Sequence, residues 1–153
     1  MCIRDRNPHG LLFILTDEQS AAGGARLQSY LEKSSVADRI QLSLALGHRL
    51  LDLPAQQRAL QASTIVADLL AGIGVLLVEN IELLFEPTLR LDPMRALRAG
   101  SRRRPLIVIW PGALTEGGHL VYAEPGHPEY RRYDSADLAG VTVVDVSALR
   151  WEE

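Results

Sequence analysis

The chain of 153 residues contains a single cysteine, Cys2, and therefore cannot form an internal disulfide. This scarcity of cysteine fits a protein of the reducing cytoplasm. Apolar runs such as residues 11–15 and 75–78 are far shorter than the ~20 residues that cross a bilayer. A formal net charge of −3 favours no polyanionic partner. These features predict a cytoplasmic protein that does not span a membrane.

The first six residues, MCIRDR, look foreign to the rest of the chain. They match the translation of a transposon-end adapter used in DNA library preparation. We therefore interpret residues 1–6 as a sequencing artefact, which makes Cys2 non-native and implies that the native N-terminus is missing. Residues 7–150 contain no internal repeat, low-complexity tract or linker, and this predicts a single domain.

Apolar runs alternate with helix-forming segments along the chain. The runs predict strands at residues 10–15, 39–44, 75–78, 106–110 and 141–146. Helices are predicted at residues 24–33, 45–53, 56–71 and 93–100, with a hairpin at 113–123 that turns at Gly117-Gly118. The inward face of the third helix is predicted to contain Leu60, Ser63, Thr64, Ala67, Leu70 and Ala71. This alternation predicts a three-layer α/β fold, with a mostly parallel sheet and helices on both faces.

The most informative segment is the run at residues 75–78, which continues into Glu79 and Asn80. A carboxylate at the carboxyl end of a buried parallel strand lies where open α/β sheets bind ligands. In P-loop NTPases such an acid helps hold Mg²⁺. Asn80 stands where some ATPases carry a catalytic base, but an amide cannot accept a proton from water. The alternative is a polar pair that simply ends a strand.

The loop after the first strand is where a P-loop motif would lie. That motif, G-x-x-x-x-G-K-[ST], supplies a lysine and a hydroxyl to the nucleotide, and no alignment of residues 16–26 contains it. Gly23 and Gly24 at a helix start, with Arg26 nearby, are the remaining candidates for binding an anion. A strand-to-helix turn that needs glycine for its geometry is the favoured interpretation.

Two further segments combine charged and aromatic residues. The run from Ser101 to Arg104 suits a phosphate-sensing arginine or a nucleic-acid contact, but a solvated helix end is favoured. In residues 122–133, no known metal-ligand spacing relates His127 to the acids, and no nucleophile accompanies it. Tyrosines beside arginines suit an interface. We therefore favour a partner-binding or structural loop there.

Four strings follow one another in the order seen in a known family: residues 78–85 (VENIELLF), 91–102 (starting LDP, ending SR), 110–112 (WPG) and 120–130 (LVYAEPGHPEY). Together they resemble BrxF, the small P-loop component of type 3 bacteriophage-exclusion (BREX) systems. The resemblance spans residues 10–146 and is most specific between Glu79 and Tyr133. It implies a P-loop, ATPase-like fold that binds ATP and Mg²⁺ and restricts phage in the cytoplasm beside other defence proteins.

The chain departs from the family in lacking Gly-Lys-Ser/Thr, so we predict a degenerate nucleotide site and a scaffold or regulatory role. Glu79 and Asn80 are the catalytic candidates, and Glu79 is also the candidate metal ligand. Partner binding is assigned to Arg102, Tyr122, His127, Glu129 and Tyr130. One alternative is an ATP-dependent switch that a partner completes. The other is a nucleic-acid adaptor that uses Arg102, Arg103, Arg104, Arg131 and Arg132.

Overall fold

The computed structural model describes residues 10–15, 36–115, 119–123, 126–134 and 136–145. Its strands are β1 (Leu11–Leu15), β2 (Val36–Gln41), β3 (Val75–Glu79), β4 (Leu106–Ile109), β5 (Ala113–Leu114), β6 (Leu120–Tyr122), β7 (Arg131–Tyr133) and β8 (Val141–Asp145). Its α-helices are α1 (Leu42–Leu51), α2 (Ala55–Leu69) and α3 (Pro93–Ser101). Two short 3₁₀ helices cover Glu82–Phe85 and Pro87–Leu89.

Five strands form one sheet in the order β2-β3-β4-β1-β8. Every neighbouring pair in it is parallel. The three central strands β3, β4 and β1 are almost wholly apolar, as expected for strands covered on both faces. The predicted α/β class and mostly parallel sheet are therefore confirmed.

The chain changes direction across this sheet at β1. From β1 the chain passes to the far edge at β2, returns through β3 to β4 beside β1, and then crosses β1 to reach β8. In open parallel sheets, such a reversal leaves a crevice outside the carboxyl ends of the two strands concerned. Here that crevice lies beyond Leu15 and Ile109, with the end of β3 one strand further along.

Helices α1, α2 and α3 all cover one face of the sheet. Leu42 of α1, Val66 of α2 and Leu97 of α3 belong to the same buried cluster as Phe13 and Val78. The opposite face carries a second buried cluster of sheet residues. The predicted helices on both faces are thus seen on one, and the helix predicted at residues 24–33 lies outside the described residues.

Two local predictions are wrong. The second strand ends at Gln41, and α1 starts at Leu42, so the strand predicted to reach residue 44 is three residues too long. The inward face of α2 is formed by Ala62, Ile65 and Val66. Of the predicted face only Leu70, at the C-cap, is buried, whereas Leu60 is 76% exposed. Ser63, Thr64, Ala67 and Ala71 are also exposed. Both sets recur at helical spacing, but only the observed face buries the two β-branched aliphatic residues.

Strands β5, β6 and β7 form a small antiparallel sheet. Its first two strands are the predicted hairpin, whose turn at residues 116–118 lies outside the described residues. Trp110, directly after β4, joins the two sheets because its Nε1 donates a hydrogen bond of 2.9 Å to the Val121 carbonyl. Tyr122 stacks on Phe85 with ring centroids 3.8 Å apart. The small sheet thus packs on the same side as the helices.

Helix α3 begins at Pro93, as predicted for the helix at residues 93–100. Asp92 is the N-cap, and its Oδ1 accepts a hydrogen bond of 3.1 Å from the Arg95 amide. Pro93 occupies the first turn, where its missing N–H is not needed. None of the helices in the described ranges is long and apolar enough to cross a membrane.

Candidate functional site at the carboxyl end of the parallel sheet

Glu79 is the last residue of β3. It therefore lies at the carboxyl end of the parallel strands, where open α/β sheets bind ligands. In the register of β2 and β3, Gln41 lies opposite Glu79 and Arg39 lies opposite Leu77. Arg39 and Glu79 are therefore diagonal neighbours on one face. By the alternation of a strand, this is the face of Leu77, opposite to the helices.

The Glu79 carboxylate forms an ion pair with Arg39. Both Nη2 and Nε of Arg39 donate to the same oxygen, Oε1, at 2.7 Å and 3.0 Å. The side chain of Glu79 is 26% exposed and that of Arg39 is 60% exposed. Arg39 thus already occupies one oxygen of the Glu79 carboxylate. The ion pair is partly exposed to solvent.

Asn80 has a structural role that its position explains. Its backbone is in the left-handed region, with φ of 55°, which asparagine tolerates better than most residues. Its carbonyl accepts a hydrogen bond of 2.7 Å from the Ser43 amide at the start of α1. The Ser43 hydroxyl in turn accepts one of 2.9 Å from the Leu83 amide. Asn80 therefore ends the strand and sets the turn that follows, while its side chain is exposed.

Glu79 lies close enough to the end of β1 for both to border one ligand site. Strands β3 and β1 are separated by β4 alone, so their axes lie ~10 Å apart at the usual strand spacing. Gly23, Gly24 and Arg26, the predicted nucleotide-binding residues, lie outside the described residues.

Residues 110–112 come after β4 in the same crevice, and their role is packing. Trp110 is 3% exposed and contacts three other rings, those of Phe13, Phe85 and Tyr133. A Cβ at Gly112 would collide with the Val121 carbonyl, so this glycine permits the close approach of the hairpin. Neither residue offers an open surface for a ligand.

The described residues contain no group of three or more His, Cys, Asp or Glu side chains arranged to hold a metal ion. The predicted metal ligand, Glu79, therefore belongs to no such group among the described residues. Mg²⁺ takes near-octahedral oxygen coordination and commonly one or two carboxylates in addition to phosphate. At Glu79, Arg39 would compete with such an ion for the carboxylate.

Of the five predicted partner-binding residues, Tyr122 is largely committed to packing. Its ring is stacked on Phe85, and burial, followed by the nearby carboxylates Glu129 and Glu82, raises its pKa. His127 is exposed and organises its own turn. Its Nδ1 accepts a hydrogen bond of 3.0 Å from the Glu129 amide, and its carbonyl accepts one of 3.0 Å from the Tyr130 amide.

The fifth residue, Arg102, lies apart from that turn at the C-cap of α3, where it is exposed. Its neighbour Arg104 is different, because its side chain is 3% exposed. Arg104 donates to the carbonyls of Ala71 (3.2 Å), Ile73 (2.9 Å) and Gly74 (2.7 Å), and to Asp38 (3.1 Å). The expectation that Arg104 is solvated or free to bind nucleic acid is wrong, because its guanidinium is buried and joins the loop between α2 and β3 to Asp38 of β2.

The residue that sequence reasoning missed is Arg39. It lies within a predicted strand and forty positions before its partner. The only signal in the sequence was a charged pair, Asp38 and Arg39, at the start of the strand predicted at residues 39–44. Each of these charges faces an opposite charge in the structure, Asp38 with Arg104 and Arg39 with Glu79.

No family model, curated protein or solved structure matches the chain.

Proposed function

We propose that the chain is a P-loop-like subunit of a bacteriophage-exclusion (BREX) defence system, similar to BrxF, and that it works as a scaffold or regulatory partner in the cytoplasm. The strings between residues 78 and 130 support the family. The parallel sheet, with an acid at the carboxyl end of β3 beside a topological crevice, supports a fold of the nucleotide-binding kind.

The observation that carries the regulatory role is the ion pair between Glu79 and Arg39. A carboxylate that assists Mg²⁺ must present oxygens to the metal, and here Oε1 accepts two hydrogen bonds from a guanidinium. The sequence also lacks the lysine and hydroxyl that a working P-loop supplies. Both features lower the expected affinity for Mg²⁺ and ATP.

The partner-binding surface in this proposal is the exposed turn around His127, together with Glu129 and Tyr130. Tyr122 contributes indirectly, because its stacking on Phe85 anchors this region to the folded core. The partners are other proteins of the same defence system. Nucleic acid is reached through them, since the net charge is −3 and Arg104 is buried.

One observation favours the second candidate, an ATP-dependent switch that a partner completes. The Arg39–Glu79 pair is accessible, and exposed pairs contribute only about 0–1 kcal/mol. A partner that draws Arg39 away from Glu79 and supplies the missing cation to the nucleotide would therefore free Glu79 for Mg²⁺ at little cost.

Co-expression with the neighbouring genes tests the proposed role. We expect the tagged chain to co-purify with a defence protein encoded beside it, and a double substitution His127→Ala and Tyr130→Ala to abolish this. Arg131→Ala, on β7, is the control and should leave it unchanged. Co-purification that survives the double substitution would refute the assignment of partner binding to this surface. Flanking genes for metabolic enzymes alone would refute the defence role.

A further inference from the structure

Helix α3 borders a cleft that is separate from the crevice at the carboxyl end of the sheet. The cleft has a volume of ≈ 480 Å³ and runs between α3, β7 and the turn at residues 136–140. None of its lining residues belongs to the five-stranded sheet. Its volume is in the range usual for small-molecule sites, roughly 300–1,000 Å³.

Three arginines of α3 and its C-cap line this cleft: Arg95, Arg98 and Arg102. Their spacing of three and four residues places them on one face of the helix. Arg98 is held in place because its Nη2 donates to the carbonyls of Asp137 and Ala139. The other donors of its guanidinium remain for a ligand. In the described part of the chain, Arg95 and Arg102 form no ion pair.

Tyr133 of β7 provides a second, independent observation. It lines the cleft, its side chain is 9% exposed, and its hydroxyl has no hydrogen-bond partner among the described residues. Asp92, Met94 and Asp137 line the same cleft. A buried hydroxyl without a partner is unfavourable. A ligand that accepts a hydrogen bond from this hydroxyl would therefore gain affinity.

We propose that this cleft binds the phosphate group of a small phosphorylated molecule. Guanidinium groups bind phosphate oxygens through short, charge-assisted hydrogen bonds. Two carboxylates, Asp92 and Asp137, line the cleft as well. Asp92 accepts a hydrogen bond from the Arg95 amide, and Asp137 accepts one from the Asp134 amide. Both carboxylates could also accept hydrogen bonds from the hydroxyl groups of a sugar. They also disfavour a continuous polyanion such as nucleic acid, because each would repel the adjoining phosphates.

Titration calorimetry with inorganic phosphate and with ribose 5-phosphate tests the site, using the whole chain. We expect ribose 5-phosphate to bind more tightly than phosphate alone. Arg102→Gln should weaken its binding roughly fivefold or more. Arg103→Gln is the matched control, since Arg103 is exposed and adjacent but does not line the cleft. Equal weakening by both substitutions would overturn the proposal, because it would indicate non-specific attraction to the helix end.

Tyr133→Phe separates binding from folding. It removes an unpartnered hydroxyl, so we expect the melting temperature of the free protein to stay the same or rise while the affinity for ribose 5-phosphate falls about threefold. Unchanged affinity would overturn the role of Tyr133. No binding of either phosphate probe, or preference for a single-stranded oligonucleotide in the same titration, would overturn the proposal as a whole.

Discussion

At the scale of single residues, two arginines show how surroundings decide what a guanidinium does. Arg39 lies on an edge strand and reaches an acid in contact with water, so its pair is weak and replaceable. Arg104 is buried and donates to three carbonyls and one carboxylate. Gly72 and Gly74, both at positive φ, shape the loop that directs those carbonyls inward. Arg39 is thus a candidate for regulation and Arg104 a determinant of stability.

We expect Arg104→Gln to lower the free energy of unfolding by about 2–3 kcal/mol, because it leaves partly buried carbonyls without donors. Urea denaturation followed by circular dichroism measures this. The adjacent Arg103→Gln, on an exposed side chain, should change the value by no more than about 0.5 kcal/mol. Similar effects of the two substitutions would contradict the assigned role of Arg104.

Tyr133 should make stability fall at high pH. Burial is the main cause that raises the pKa of Tyr133 to about 12, above its ordinary value of 10.0. The unfolded chain therefore loses this proton first. Stability is full below pH 10 and declines as pH rises to 12, by up to about 2–3 kcal/mol. Comparison with Tyr133→Phe isolates the effect, since the variant should lack this part of the decline. If the free energy of unfolding of both proteins fell in parallel as pH rises, this effect of Tyr133 would be refuted.

Residue patterns predicted where Glu79 lies but not what it contacts. The apolar run of β3 was sufficient to place an acid at the carboxyl end of a parallel strand. The contact with Arg39 depends on the register of β2 against β3, which is fixed by tertiary packing and not by local sequence. The same holds for Arg104, whose carbonyl acceptors are some thirty positions away.

At the scale of elements, strand positions and helix boundaries could be predicted better than helix orientation. Residue types that cap or stop an element act locally, as Asp92 and Pro93 do at the start of α3. The buried face of α2 depends on what the helix packs against. Helical spacing predicted Leu60 on the inward face, yet Ile65 and Val66 pack in the cluster that covers the sheet.

The orientation of α2 gives a direct prediction. Ile65→Ala should lower the free energy of unfolding by about 2–4 kcal/mol, because it leaves a cavity beside the sheet. Leu60→Ala, a similar truncation at a side chain that is 76% exposed, should change it by about 0.5 kcal/mol at most. Chemical denaturation of the two variants distinguishes the faces, and a larger loss from Leu60→Ala would show that the helix is rotated.

The attachment of the small sheet can be tested with two glycines. Gly112→Ala would place a Cβ against the Val121 carbonyl beside the Trp110 indole, and we expect a loss of about 1–3 kcal/mol. Gly47→Ala lies within α1, where the added Cβ meets only a Leu83 methyl at 3.9 Å. Since alanine favours helix more than glycine, it should stabilise by about 0.5–1 kcal/mol. Thermal melts of both variants check the opposite signs.

At the scale of the whole molecule, strand order and function are connected through the reversal at β1. The sheet places the ends of β1, β4 and β3 side by side, so the acid of β3 lies two strands away from the end of β1. The alternation of apolar runs and helices was sufficient to predict a parallel sheet. Strand order was not predictable in this way, because it depends on which crossover the packed helices allow.

We propose that this crevice is a degenerate nucleotide site whose acid is neutralised by Arg39. Steady-state ATP hydrolysis with Mg²⁺, measured on the purified chain and on its Glu79→Ala variant, tests it most directly. We expect marginal turnover that the substitution does not lower. Robust turnover by the unmodified chain, lost in Glu79→Ala, would contradict it.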